Sequence, residues 1–192
     1  MANIDGGYDK ARVAALYATM ANSRRTTTQR GRALESLAAL MFSGIPGVTV
    51  LATNSRDVFA CEEIDVVLYN VGDSVGLFGF DQIIPIECKN WREPVGALEV
   101  AWFDTKLRLR GLKTGILLAL NGITGLSHSK TSAQHIVAVA LKEERRLVIL
   151  GVNELRSCAT FEDLVSLCRT RLSQLYLSRS MPNRLSSIDD VI

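Results

Sequence analysis

Apolar residues recur at helical spacing over two early segments of the chain. Val13, Leu16, Tyr17 and Met20 do so within residues 8–21 and predict a first amphipathic helix. A polar, basic connection, NSRRTTTQR (22–30), leads into a second helix over about 28–42, where Leu34, Leu37, Leu40 and Met41 share one side. Gly44, Pro46 and Gly47 stop it. Glu35 lies one residue from that stripe, at its border. The pattern then turns to short β-rich runs. VTVLAT (48–53) and IDVVLY (64–69) are candidate strands, and 70–82 reads as a loop with room for a short edge strand. IIPIECK (83–89) is the next strand. Pro85 removes a ladder donor there and favours an edge or a bulge over regular central pairing.

From residue 94 helical and strand patterns alternate. Residues 94–111 predict a helix with Val95, Leu98, Trp102 and Leu109 on or near one face. TGILLAL (114–120) is apolar throughout, as a strand covered on both sides would be. A helix over 129–144 and a strand over 146–152 follow. The last helix, 161–178, carries Phe161, Leu164, Val165, Cys168, Leu172, Leu175 and Tyr176 on one stripe behind a Thr160 cap. The tail after Met181 is polar and reads as loose. No repeat or linker interrupts the series. The expectation is one domain over 1–192, with its core at about 28–152. Its class is α/β: a mixed β-sheet of four or five strands flanked by α-helices, with a parallel crossover between 83–89 and 114–120.

Composition narrows the function only slightly. Twenty-two Lys and Arg against twenty Asp and Glu leave a net charge of +2, so any basic surface must be local. Cys61, Cys88, Cys158 and Cys168 form no CxxC pair and accompany only two histidines, His128 and His135, which argues against a zinc site. Free thiols in a reducing compartment fit better. No run approaches the roughly 18 apolar residues of a membrane span. The N-terminus lacks a secretory pattern, so a cytoplasmic protein without a membrane partner is expected.

The chemistry concentrates at the end of 83–89. Alternation puts Glu87 and Lys89 on one face, about 6–7 Å apart along the strand, with Ile84, Ile86 and Cys88 on the other. Asp65 is the one acid within the otherwise apolar run 64–69, which Glu62 and Glu63 precede. If the two strands are neighbours, Asp65 and Glu87 converge, and two partly buried carboxylates repel unless a cation lies between them. Oxygen donors of this kind select Mg²⁺ or Mn²⁺. Lys89 would then stand beside the metal, able to act on a water and on phosphate charge. An E-x-K triplet alone is common, and acid–base pairs on a strand are ordinary structural contacts. The preceding Asp65 brings the two readings level.

GRALESLAALMF, EEIDVVLY, PIECKNW, PVGALEVAWF and GILLALNGIT, in that order, resemble the PD-(D/E)xK nuclease superfamily in its restriction-endonuclease-like, Mrr-like branch. The resemblance spans about residues 28–152. It implies a restriction-endonuclease-like fold and Mg²⁺-dependent cleavage of DNA, with Mn²⁺ able to substitute. By the same resemblance Asp65 and Glu87 are the metal-binding acids, Lys89 the catalytic lysine and Glu35 a helical acid near the site. Ile64 stands where the superfamily has its naming proline, and a Gly-rich stretch separates the two acids. A role in restriction or antiviral defence is implied by the resemblance alone. The alternatives are a non-catalytic nucleic-acid-binding or assembly subunit of the same fold, and a repair nuclease acting on branched DNA.

Lys106, Arg110 and Lys113 recur at i, i+4 and i+7 and would follow a phosphate backbone if they face the site; a solvated helix end is the structural alternative. Arg24 and Arg25 read as surface residues, with a DNA-contacting arm as the alternative. NGITGLSHSK (121–130) has backbone N–H groups suited to phosphate but lacks the spacing of a nucleotide-binding loop. His135 reads as a packed or surface residue, and Trp91 and Trp102 as core or interface residues. A double-strand break needs both strands reached, so a homodimer or a partner subunit on double-stranded DNA is expected.

Overall fold

The computed structural model describes residues 7–56, 63–125 and 132–178. Helices α1 (Lys10–Ala21) and α2 (Thr27–Phe42) open the chain as a hairpin. Asp9 caps the first by accepting from the Arg12 amide at 3.0 Å. Thr26 and Gln29 form a reciprocal capping box on the second. Strands β1 (Val48–Arg56), β2 (Glu63–Asn70) and β3 (Ile83–Lys89) then run antiparallel in turn. Helix α3 (Ala97–Leu109) crosses to β4 (Thr114–Ala119), which joins β3 in parallel. Helix α4 (Ala133–Lys142) crosses to β5 (Arg146–Gly151), also parallel. Short α5 (Val152–Ser157) and long α6 (Phe161–Ser178) complete the order. The sheet reads β1-β2-β3-β4-β5, so the chain has an α/β fold with a five-stranded mixed sheet flanked by helices.

Strand alternation divides the interior into two layers. Val66, Leu68, Ile84, Ile86, Ile116, Leu118, Val148 and Leu150 face α2 and α6. Leu117, Ala119 and Leu147 face α3 and α4. The first layer is the larger core, built on Leu34, Leu37, Met41 and Phe42 of α2.

Several details depart from the hydrophobic pattern. Pro85 lies in the central strand, not at an edge. The Asn70 amide donates to the Gln82 carbonyl at 2.8 Å, so the hydrogen-bonded positions facing β2 are 82, 84 and 86. Position 85 points its missing donor towards β4, one residue before the first parallel pair, Ile86 with Ile116. The missing donor costs at most the one bond that would open the parallel ladder, and all pairs from Ile86 onward are kept. Residues 71–82 contain turns and no strand; Asn70 itself ends β2. Helix α3 starts at Ala97 because Val95 pairs with Ile123 in an isolated bridge. The face predicted for α3 is also corrected: Val100, Phe103 and Leu107 are buried, while Leu98, Trp102 and Leu109 are exposed. The helix carries two apolar stripes, and the second layer takes the one that meets Leu117 and Ala119. Helix α5 has no counterpart in the sequence reading. The expected loop of residues 121–130 lies partly outside the described residues, and His128 and Cys61 lie wholly outside them. Cys88, Cys158 and Cys168 are free thiols. Among the described residues no helix is long and apolar enough to cross a membrane.

The 71–82 loop is fastened from within. The buried Asn70 side chain donates to the Leu77 carbonyl at 3.0 Å and accepts from the Gly72 amide at 3.1 Å. Asp81 accepts from Thr114 at 2.7 Å and pairs with Arg146 at 2.6 Å, tying the loop to the starts of β4 and β5. Asn70→Ala leaves these backbone groups without partners and is predicted to cost about 1–3 kcal/mol. Urea unfolding measures it, and an unchanged midpoint would mean that the contacts of Asp81, Arg146 and Arg169 suffice to hold the loop.

Candidate functional site

The site forms where β3 ends and β2 begins. The last regular pair between them is Val66 with Ile86, and continuing that register sets Asp65 across from Glu87 on one face. Cys88 would next donate its amide to a β2 carbonyl. Instead Asp65 Oδ2 accepts it at 2.6 Å. A side chain thus replaces the ladder at the point where the strands part. This fixes the Asp65 carboxylate at the strand ends.

Glu87 is 5% exposed and lies on the face covered by α3. Its Oε1 meets Lys89 Nζ at 2.8 Å and its Oε2 meets Lys106 Nζ at 2.8 Å. Lys106 also donates to the Glu63 carbonyl at 2.7 Å, which ties α3 to the start of β2. Lys89 is more open, and its ammonium lies 5.4 Å from the centroid of the Trp91 ring. Glu35, on α2, hydrogen-bonds to Asn54 but keeps a buried Oε2 without a partner. It lies close enough to Asp65 and Glu87 for the three carboxylates to influence one another.

The charges are unequally compensated. Burial, and then the negative charge of Glu87, raise the pKa of Asp65 from an ordinary 3.8 to about 7, against the opposing Cys88 amide. Burial also raises that of Glu35; Asn54 and Arg32 oppose it, while Glu63 and Glu87 add to it. For Lys89 burial works against the charged form, but the Glu87 charge and hydrogen bond outweigh it and the pKa rises. The result is a stable ammonium beside acids that lack enough positive charge. That is the electrostatic condition a divalent cation relieves, and the donors are the hard oxygens such a cation takes. Among the described residues no three His, Cys, Asp or Glu side chains already converge as a full ligand set. Asp65 and Glu87 would hold the ion, which would compete with the two lysines for Glu87.

Compared with models of known protein families and with curated protein sequences, the chain matches none.

The three cations expected to track a phosphate backbone separate in space. Lys106 turns inward and is 6% exposed, because the buried Glu87 and the Glu63 carbonyl need its ammonium. Arg110 reaches back to the Lys106 carbonyl at 3.4 Å. Lys113 pairs with Glu144 before β4 begins, about six residues and roughly 20 Å of strand from the level of Lys89. Lys106 is therefore a residue of the site in a role the sequence reading missed. The available signal was a lysine one residue from Leu107 and three from Phe103, on a stripe that turned out to be buried. His135 is half-buried on α4, and Gln134 beside it is exposed. Trp91 and Trp102 are both exposed, which excludes the core reading for them.

Two predictions follow from these charges. Asp65 ionises near pH 3.8 when unfolded and near 7 when folded, so between those values the folded chain holds a proton that the unfolded chain lacks. The stability this provides is full in acid and is lost as pH rises through the folded value. Metal-free Asp65→Asn keeps an acceptor for Cys88, so it should melt above wild type at pH above 7 and converge with it towards pH 3.8. A difference independent of pH would contradict the assigned shift. Lys106→Met removes one of two counter-charges from a buried carboxylate and is predicted to cost about 3–5 kcal/mol. Chemical denaturation reads this directly, and a near-neutral effect would mean that Lys89 alone compensates Glu87.

Proposed function

We propose that this chain is a metal-dependent endonuclease of the restriction-endonuclease-like fold, hydrolysing phosphodiester bonds of double-stranded DNA. The observation that carries the reading is the shared face of Asp65, Glu87 and Lys89 at a parted strand end, with more carboxylate than cation around them. Asp65 and Glu87 are the proposed ligands of Mg²⁺, for which Mn²⁺ can substitute. When bound, the ion would polarise a phosphoryl oxygen and lower the pKa of a water. Lys89 stays protonated and presents a compact positive charge to the phosphate. Glu35, with a raised pKa and an unpaired oxygen, is suited to accept a proton at the rim. Asp65 is oriented by the Cys88 amide, and Lys106 holds Glu87 from the side of α3. A homodimer or a partner subunit would bring a second site to the opposite strand. Restriction or antiviral defence is the setting suggested by the sequence resemblance.

One observation favours a second reading. Both Glu87 oxygens already hold ammonium groups, as they would in a non-catalytic nucleic-acid-binding or assembly subunit. Incubating purified protein with plasmid and linear DNA in Mg²⁺, Mn²⁺ or EDTA separates the two. The nuclease reading predicts nicking or cutting with metal and none in EDTA. Lys89→Met should then lose ~10²–10³-fold in rate, as removal of one preorganised charge typically does. Its melting temperature should fall too, because Lys89 is one of the two counter-charges of the buried Glu87, so rates are compared at a temperature where both proteins are folded. Lys89→Arg should recover little, because a planar fork does not replace an ammonium. Full cleavage by a folded Lys89→Met protein would remove the catalytic role.

A further inference from the structure

The positive charge of this chain is concentrated at one place. Residues 10–34 carry Lys10, Arg12, Arg24, Arg25, Arg30 and Arg32 and no acid at all. The rest of the chain has sixteen basic against twenty acidic residues. A net charge of only +2 conceals this asymmetry. Among the described residues, none of the six forms an ion pair; the pairs present all lie elsewhere. Arg30 keeps a buried Nε without a partner. Lys10, Arg12, Arg24, Arg25 and Arg32 are exposed.

This charge lies against the site. The Met20 carbonyl, at the end of α1, accepts from the side chain of Asn90, the residue after Lys89, at 3.5 Å. The connection carrying Arg24 and Arg25 therefore begins beside the end of β3. Further along, Arg12 and Arg32 line a groove of about 430 Å³ between α1, α2 and β1, and Glu35 lines it too. The hairpin thus borders the site at two places, through the contact of Met20 with Asn90 and through its own Glu35.

Its surface chemistry selects the partner. Apart from Lys10 and Arg12, the exposed positions of α1 are alanines (Ala11, Ala14, Ala15, Ala18 and Ala21), which offer no large apolar group to insert into lipid. Thr27 and Thr28 add exposed hydroxyls between the arginines. Free guanidinium groups interleaved with short hydroxyls suit a row of phosphates. Resting on the nuclease reading, we propose that the α1–α2 hairpin, through Arg24, Arg25 and Arg32, carries the phosphodiester backbone of duplex DNA to the strand end holding Lys89. The positions expected from sequence, Lys106 and Lys113, are occupied by Glu87 and Glu144. The hairpin supplies the cations that they do not.

Fluorescence anisotropy with a labelled DNA duplex in EDTA tests this without cleavage. Arg24→Ala with Arg25→Ala should lower the slope of log affinity against log salt by about 1.8, at ~0.9 per phosphate contact. At ~0.1 M salt this corresponds to a loss on the order of 10–100-fold. Arg108→Ala with Lys142→Ala, an exposed basic pair on α3 and α4, should leave both quantities nearly unchanged. All four sites are exposed, and melting temperatures check that each variant is folded. Wild-type affinity and slope in the hairpin variant would overturn the proposal. So would an equal loss in the control pair, or a wild-type protein that binds anionic vesicles and not duplex. Hairpin-dependent binding without metal-dependent cleavage would retain this surface and reject the nuclease. Cleavage with hairpin-independent binding would do the reverse.

Discussion

Glu87 is a carboxylate inside the protein, and the local structure is arranged around keeping it charged. An ionised acid removed from water costs several kcal/mol unless it is paired and its lone pairs are used. Here each oxygen has an ammonium, one from the same strand and one from the helix packed over it. The second contact explains an odd feature of α3. A helix whose inner stripe is Val100, Phe103 and Leu107 also sends a lysine inward. The side chains of a helix lean towards its N-terminus, so Lys106 reaches up towards the end of β3 while its backbone stays lower. The Glu63 carbonyl at the opening of β2 accepts a further hydrogen bond from the same ammonium. One lysine therefore joins the helix, the central strand and the neighbouring strand.

The second constraint is the end of the β2–β3 ladder. Backbone donors inside a protein must be satisfied, and Cys88 faces a strand that has begun to diverge. Asp65 meets the need with a side-chain oxygen. The acid is thus fixed by a bond that a regular sheet would have given to a carbonyl. Parting of the strands and orientation of the acid are one event, and both bring Asp65 to the face that holds Glu87.

Much of this was legible in the chain. The five strands, the parallel crossover and the common face of Glu87 and Lys89 follow from periods of two and 3.6 and from the strand ends. The misreadings have specific causes. For Pro85 the sequence favours an edge or a bulge because it shows a missing donor but not its direction, and here that direction falls just before the parallel pairs begin. On α3 periodicity found an apolar stripe, but the helix has two, and only the sheet decides which is covered. That error carried Lys106 to the surface in prediction, although its burial is set by a carboxylate nineteen residues earlier. Spacing at i, i+4, i+7 places residues on one side of a helix and says nothing of a partner on another strand. The basic hairpin was visible as composition, yet its place beside β3 depends on the contact of Met20 with Asn90.

Charge balance links these parts. Asp65, Glu87 and Glu35 would bring three negative charges to the strand end, and Lys89 and Lys106 return two. Adding Glu63 and Arg32, which also act on Glu35, leaves the difference unchanged. The cluster is one positive charge short when every acid is ionised. A proton on Asp65 is one way to close that gap, and its raised pKa favours it as the pH falls below about 7. A cation between the acids is the other. The two are mutually exclusive at the same oxygens, because a ligand must be deprotonated to bind. A phosphate brought by the arginines of the hairpin would add negative charge to the same place and deepen the deficit. Cation and nucleic acid would then favour each other's binding through charge alone, with no movement of the fold required.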